Sequence, residues 1–190
     1  MTLEKTLFQE KLLQWEGALQ DFSLPGWDAL PALPLYMDQV IYLLNQYLSP
    51  VPDQGPERLV TPAMINNYVK LKIIPPPFKK RYGRVHLAYL IVVCVFKQSL
   101  NTADIRRLMP PSLPEDAVRA LYGDFIAAME EMKALFPQEV RKIVTPVLRE
   151  SPDPAAHLVL RAAFAANLAK LLCQQTLRLE PEPDSADSGA

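Results

Sequence analysis

Two adjacent amides, Asn66 and Asn67, and a lysine one turn on, Lys70, stand in PAMINNYVKL, where apolar Ile65 and Val69 lie four apart. That spacing puts the apolar pair on one face of a helix and Ala63, Asn66, Asn67 and Lys70 on another. Asparagine can pair bidentately with adenine, and lysine can hold a phosphate or a guanine edge, so this face suits the major groove of DNA. Further on, Lys79-Lys80-Arg81 with Tyr82 suits a grip on flanking phosphates. Pro75, Pro76 and Pro77 stiffen the approach and lower the entropy cost of presenting it. Between Arg58 and Arg107 ten basic residues face one acid, Asp104, a charge of +9, while the remainder carries −10 and the whole chain −1. A polyanion meets the local charge, not the total.

Other chemistry is sparse. The sequence has no nucleophile elbow, phosphate-cradling glycine loop, HExxH or paired-carboxylate arrangement. Its six glycines leave few tight substrate loops. An enzyme is not expected, nor a cofactor or metal. Cys94 and Cys173 form no disulfide framework and no ligand spacing. Cys94 reads as a small buried hydrophobe, and His86 and His157 as structural or exposed side chains. The opening MTLEKTLFQEKLLQWEG lacks the apolar core of a secretory signal. Leu87 to Phe96 is about half the length of a membrane span. A cytoplasmic setting is the expectation.

Helices must position these groups. With 49% apolar residues over 190 positions, disorder of the whole chain is excluded and a real core can form. Phe8, Leu12, Trp15 and Leu19 share a helix face. Pro25, Pro31 and Pro34 make regular structure improbable after it. Asp38 begins a second helix with Val40, Ile41, Leu44 and Leu48 inward, and the proline-rich stretch 49–58 is a loop. Thr61-Pro62 starts the amide-bearing helix, since threonine caps free N–H groups and proline is tolerated at the first position. Val85 to Gln98 is too long for a strand and apolar nearly all round, so a central helix is predicted. Asn101 and Asp104 open a short helix ending near Met109. Beyond Pro110, Pro111 and Pro114 comes a helix whose stripe includes Val118, Leu121, Phe125 and Met129. A shorter one follows around Gln138 to Arg149, interrupted by Pro146. The last helix runs from about Pro154 to Leu179, and its Arg161, Asn167 and Lys170 argue against membrane insertion.

In order, TPAMINNYVKLKIIPP, KKRYGRVHLAYL and FKQSLNTADIRRLM resemble the winged helix-turn-helix of the MerR type of transcription regulators. Ile65 and Tyr68 match the recognition helix, and Ile73, Ile74 and Pro75 its exit. Lys80, Arg81 and Tyr82 match the wing, and Leu87, Leu90, Val93 and Phe96 the buried helix. Asn66 stands where that type usually has arginine, and Lys72 where it has glycine. The loop 49–58 is longer than its usual turn, and no long heptad helix or metal-sensing cysteine set is present, so its effector and dimer mechanisms do not carry over. LYMDQV with INNYVK, PPPFKKRY and HLAYLIVV also resembles a family of uncharacterised bacterial proteins catalogued as a domain of unknown function, over about 34–109.

The expected architecture is mainly α. An N-terminal helix and Pro-rich segment (1–33) precede a MerR-like winged helix-turn-helix (34–110), a C-terminal helical bundle (111–179) and a disordered tail (180–190). The resemblance implies sequence-specific binding of double-stranded DNA by a transcription regulator, a homodimer through its C-terminal helices. The expected contacts are Thr61, Ala63, Asn66, Asn67, Tyr68, Lys70, Lys72, Lys79, Lys80, Arg81, Tyr82 and Arg84. The alternative is a protein-interaction module or ligand sensor that uses the winged fold without DNA.

Overall fold

The computed structural model describes residues 2–48, 60–151 and 153–179 of the chain. The loop expected over 49–58 and the tail expected at 180–190 lie outside the described residues. Among those described the protein is mainly helical: α1 (Thr2–Asp21), α2 (Met37–Leu48), α3 (Pro62–Lys70), α4 (Arg84–Phe96), α5 (Thr102–Leu108), α6 (Glu115–Glu150) and α7 (Pro154–Leu179). No regular strand occurs among them. Where the resemblance implies a sheet-based wing, two isolated antiparallel bridges stand, Leu35 with Tyr82 and Phe78 with Arg81.

The core forms around α4, as its composition demands. Every residue from Leu87 to Cys94 is buried, so the helix has no solvent face and must be covered on all sides. Helices α2, α5 and α6 supply the cover, with Val40, Leu44, Ile105, Val118 and Tyr122 each less than 2% exposed. Cys94 is one of the buried positions, and burial pushes its thiol up to about 11.

Capping sets the short helices. Thr61 Oγ1 accepts from the Met64 N–H at 3.3 Å with Pro62 at the first position, and Asn101 Oδ1 accepts from the Asp104 N–H at 2.9 Å. Each satisfies a donor that the first helical turn leaves open. Asn45, on α2, clasps Val60 from both sides: its Oδ1 accepts from the Val60 N–H at 3.2 Å and its Nδ2 donates to the Val60 carbonyl at 3.4 Å. The start of α3 is thereby tied directly to α2.

Helix α6 departs from the sequence expectation. Instead of two helices it is one of 36 residues, with Pro137 and Pro146 inside it. A proline in a helix removes one N–H and frees the carbonyl four residues before it. For Pro137 that carbonyl belongs to Lys133, and Gln20 Nε2 of α1 donates to it at 3.0 Å. The same lysine donates its Nζ to the Phe22 carbonyl at 2.7 Å, and Trp15 meets Phe136 edge to face at 5.6 Å. A neighbouring helix therefore caps the group that proline exposes.

The Pro-rich segment after α1 is irregular, as expected, apart from one 3-10 turn at Trp27–Ala29, yet it belongs to the core. Leu24, Trp27 and Leu30 are buried. Tyr122 of α6 donates its hydroxyl to the Pro25 carbonyl at 2.7 Å and meets Trp27 edge to face, while Arg119 forks onto Asp28. Helix α7 is the opposite case. It leaves Val159, Leu160, Phe164, Leu168, Leu171 and Leu172 exposed. By length and composition alone it is apolar enough to cross a membrane.

Candidate nucleic-acid interface

Helix α3 buries Ile65 and Tyr68 and turns Ala63, Asn66, Asn67 and Lys70 to solvent. The amides and the lysine therefore stand where the spacing places them. Its exit is a Schellman turn: the Ile73 N–H reaches the Tyr68 carbonyl at 2.9 Å and the Lys72 N–H reaches that of Val69 at 3.0 Å. Lys72 occupies the left-handed position of that turn, at φ 53°. Glycine would take this conformation without strain; lysine takes it and projects an exposed cation instead.

The chain then runs through the three prolines to a tight turn. The Arg81 N–H donates to the Phe78 carbonyl at 2.9 Å, with Lys79 and Lys80 between them at φ 49° and 62°. Two consecutive positive φ values are the signature of a type I′ hairpin turn, which favours glycine, asparagine or aspartate. Its arms are one residue pair deep, Phe78 with Arg81, and the next residue, Tyr82, exchanges both backbone hydrogen bonds at 2.9 Å with Leu35 of the segment before α2. Both turn lysines are exposed.

His86 fixes this turn to α4. Its Nδ1 accepts from the Gly83 N–H at 3.1 Å, its Nε2 donates to the Pro76 carbonyl at 3.1 Å, and its ring meets Tyr82 edge to face at 5.5 Å. Both ring nitrogens are used by the neutral imidazole. Burial lowers the His86 pKa below its ordinary 6.5, against the two backbone hydrogen bonds that raise it. A base with a lowered folded pKa adds stability that is fully present above the unfolded value and lost as pH falls through the folded one. Below pH 6.5, then, acid should loosen the turn in wild type, and His86→Gln should flatten that part of the stability profile. Unfolding in denaturant across that range measures it.

Two expected contacts are corrected by burial. Tyr68 is 7% exposed and Tyr82 3%, so their rings hold the core and present no face to a groove. Burial, with Cys94 near by, pushes the Tyr68 hydroxyl up to about 12. Thr61 is half-buried and its hydroxyl is committed to capping. Arg84 is half-buried too, its Nε donating to the Leu30 carbonyl at 3.2 Å and its guanidinium lying over the Trp27 ring.

Lys79, Arg81 and Arg84 line one groove of about 540 Å3, together with Phe78, Pro34 and Glu115. Two aromatic residues here escaped the sequence reading. Phe78 is 74% exposed with the Lys79 ammonium over its ring at 5.2 Å. Tyr36 carries the Arg81 guanidinium over its ring at 4.4 Å and accepts from it through its hydroxyl at 2.7 Å. Phe78 was visible as an aromatic between prolines and lysines. Tyr36 lies 45 residues from its partner and gave no local signal.

No curated protein and no solved structure matches the chain. A family match covers residues 25–125, which take in α2 to α5, the hairpin turn and the start of α6, and leave out α7. On that match over more than half its length, the chain belongs to the family described as Domain of unknown function (DUF1836).

Proposed function

We propose that the protein binds double-stranded DNA sequence-specifically and acts as a transcription regulator of the MerR-like type. In this reading α2 and α3 form the helix-turn-helix, Asn66, Asn67 and Lys70 read base edges, and the Lys79–Lys80 turn is a minimal wing on the flanking phosphates. One observation carries it. Among the described residues the three non-glycine positions with positive φ are Lys72, Lys79 and Lys80. A left-handed residue other than glycine costs roughly 1 kcal/mol or more, so strain gathers where a cation is presented. Strain of that kind concentrates at functional sites. Lysines at a helix exit and a hairpin tip suit phosphates at two separate points of a backbone.

Incubation of the purified chain with fragmented genomic DNA from its source organism, at about 150 mM salt, tests the reading. A discrete set of retained fragments is the expected result. Uniform or absent retention at that salt would overturn sequence-specific binding.

A further inference from the structure

We infer that the groove between the hairpin turn and the start of α6 binds a free nucleotide, a nucleoside di- or triphosphate, with its base on Phe78 and its phosphates on Lys79, Arg81 and Arg84. At about 540 Å3 the groove falls within the size range of small-molecule sites. The three cations share it with one acid, Glu115. Among the described residues none of the three pairs with a carboxylate, Glu115 included. Like charges gathered without a counter-charge repel one another, and a bound polyphosphate relieves that repulsion.

The two guanidiniums are aimed before any ligand arrives. Arg81 lies over the Tyr36 ring and gives its hydroxyl one N–H, while Arg84 lies over Trp27 and gives its Nε–H to the Leu30 carbonyl. Each keeps its remaining donors for phosphate oxygens, and because the side chain is already held, less entropy is lost on binding. Phe78 selects the rest of the ligand. Its ring is 74% exposed, with three prolines before it and the tight turn after it to hold its backbone. An exposed ring beside cations is a stacking platform for a base, and phosphate alone would leave it unused. A continuous single strand fits less well, because Glu115 places a negative charge in the same groove. That carboxylate suits ribose hydroxyls, which can donate to it. Lys79 and Arg81 are also assigned to DNA phosphates above, so a bound nucleotide would compete with the duplex; that consequence alone rests on the DNA reading.

Isothermal titration of the full chain with ATP, without divalent cations and at about 150 mM salt, tests the site. Saturable binding is expected. Phe78→Ala should raise the dissociation constant roughly tenfold and Arg81→Gln by a similar factor, with circular dichroism unchanged because both side chains are exposed. Lys142→Ala removes a cation about 40 Å along α6 from Glu115 and should change nothing. Inorganic triphosphate, which has charge without a ring, should bind roughly tenfold more weakly than ATP and be indifferent to Phe78→Ala. No saturable binding below about 1 mM, equal affinity for ATP and triphosphate, or indifference of ATP to Phe78→Ala would each overturn the inference. So would a single-stranded oligonucleotide that binds more tightly than ATP and loses affinity in Phe78→Ala. A chain that retains no genomic fragments yet binds ATP through Phe78 keeps this site and removes only the DNA reading.

Discussion

Alanine at Lys79, Lys80 and Arg81 together is expected to lower affinity for double-stranded DNA roughly a hundredfold at physiological salt, and to reduce the slope of log affinity against log salt by about 2.7. The slope follows from three phosphate contacts, each releasing about 0.9 of a counterion. A second variant separates charge from turn geometry. Lys79→Gly with Lys80→Gly removes two of the same cations but puts glycine where both φ values are positive. That variant should bind more weakly and yet be more stable, by about 1 kcal/mol, because glycine relieves the left-handed strain. Affinity and thermal midpoint moving in opposite directions would show that the turn sacrifices stability for its charge. If the triple alanine variant binds as wild type does, the turn is not the phosphate grip.

The largest loss of stability is expected at Tyr122. The residue is fully buried, its ring touches Trp27 and Phe125, and its hydroxyl reaches the Pro25 carbonyl. Tyr122→Ala removes that volume from the junction of α6 and the Pro-rich segment and should cost about 3–5 kcal/mol. Tyr122→Phe keeps the packing but leaves the Pro25 carbonyl without its donor, a loss of about 1–3 kcal/mol. Equilibrium unfolding in urea resolves both. A Phe variant as damaging as Ala would place the stabilisation in the hydrogen bond; equality with wild type would place it all in packing.

Local signals made much of this fold legible. Thr61-Pro62 and Asn101 cap the helices that their residue types announce. The unbroken apolar run of α4 does lie at the centre. The single helix α6 was not legible, because Pro137 and Pro146 are breakers by local rules. What lets Pro137 stay helical is Gln20, which reaches the freed carbonyl from 113 residues away. In the candidate site, the solvent face of α3 followed from spacing alone. Tyr68 and Tyr82 could not be assigned that way, since a tyrosine suits core and surface alike. The turn geometry was hidden for the opposite reason: lysine is a poor predictor of the left-handed conformation that Lys72, Lys79 and Lys80 adopt.

The clip between α1 and α6 also orders events in time. Its two hydrogen bonds, Gln20 to Lys133 and Lys133 to Phe22, span 113 and 111 residues of sequence. Contacts so distant require a large loop to close before they return any stabilisation, and so they form late. The ribosome makes α1 before α6, yet α1 has no docking site until Lys133 and Phe136 have emerged and coiled. Until then its Trp15 lacks the Phe136 ring it packs against, a transient exposure that chaperones exist to cover. In the finished protein the same helix should exchange its amide hydrogens sooner than α4, whose bonds open only with the whole core.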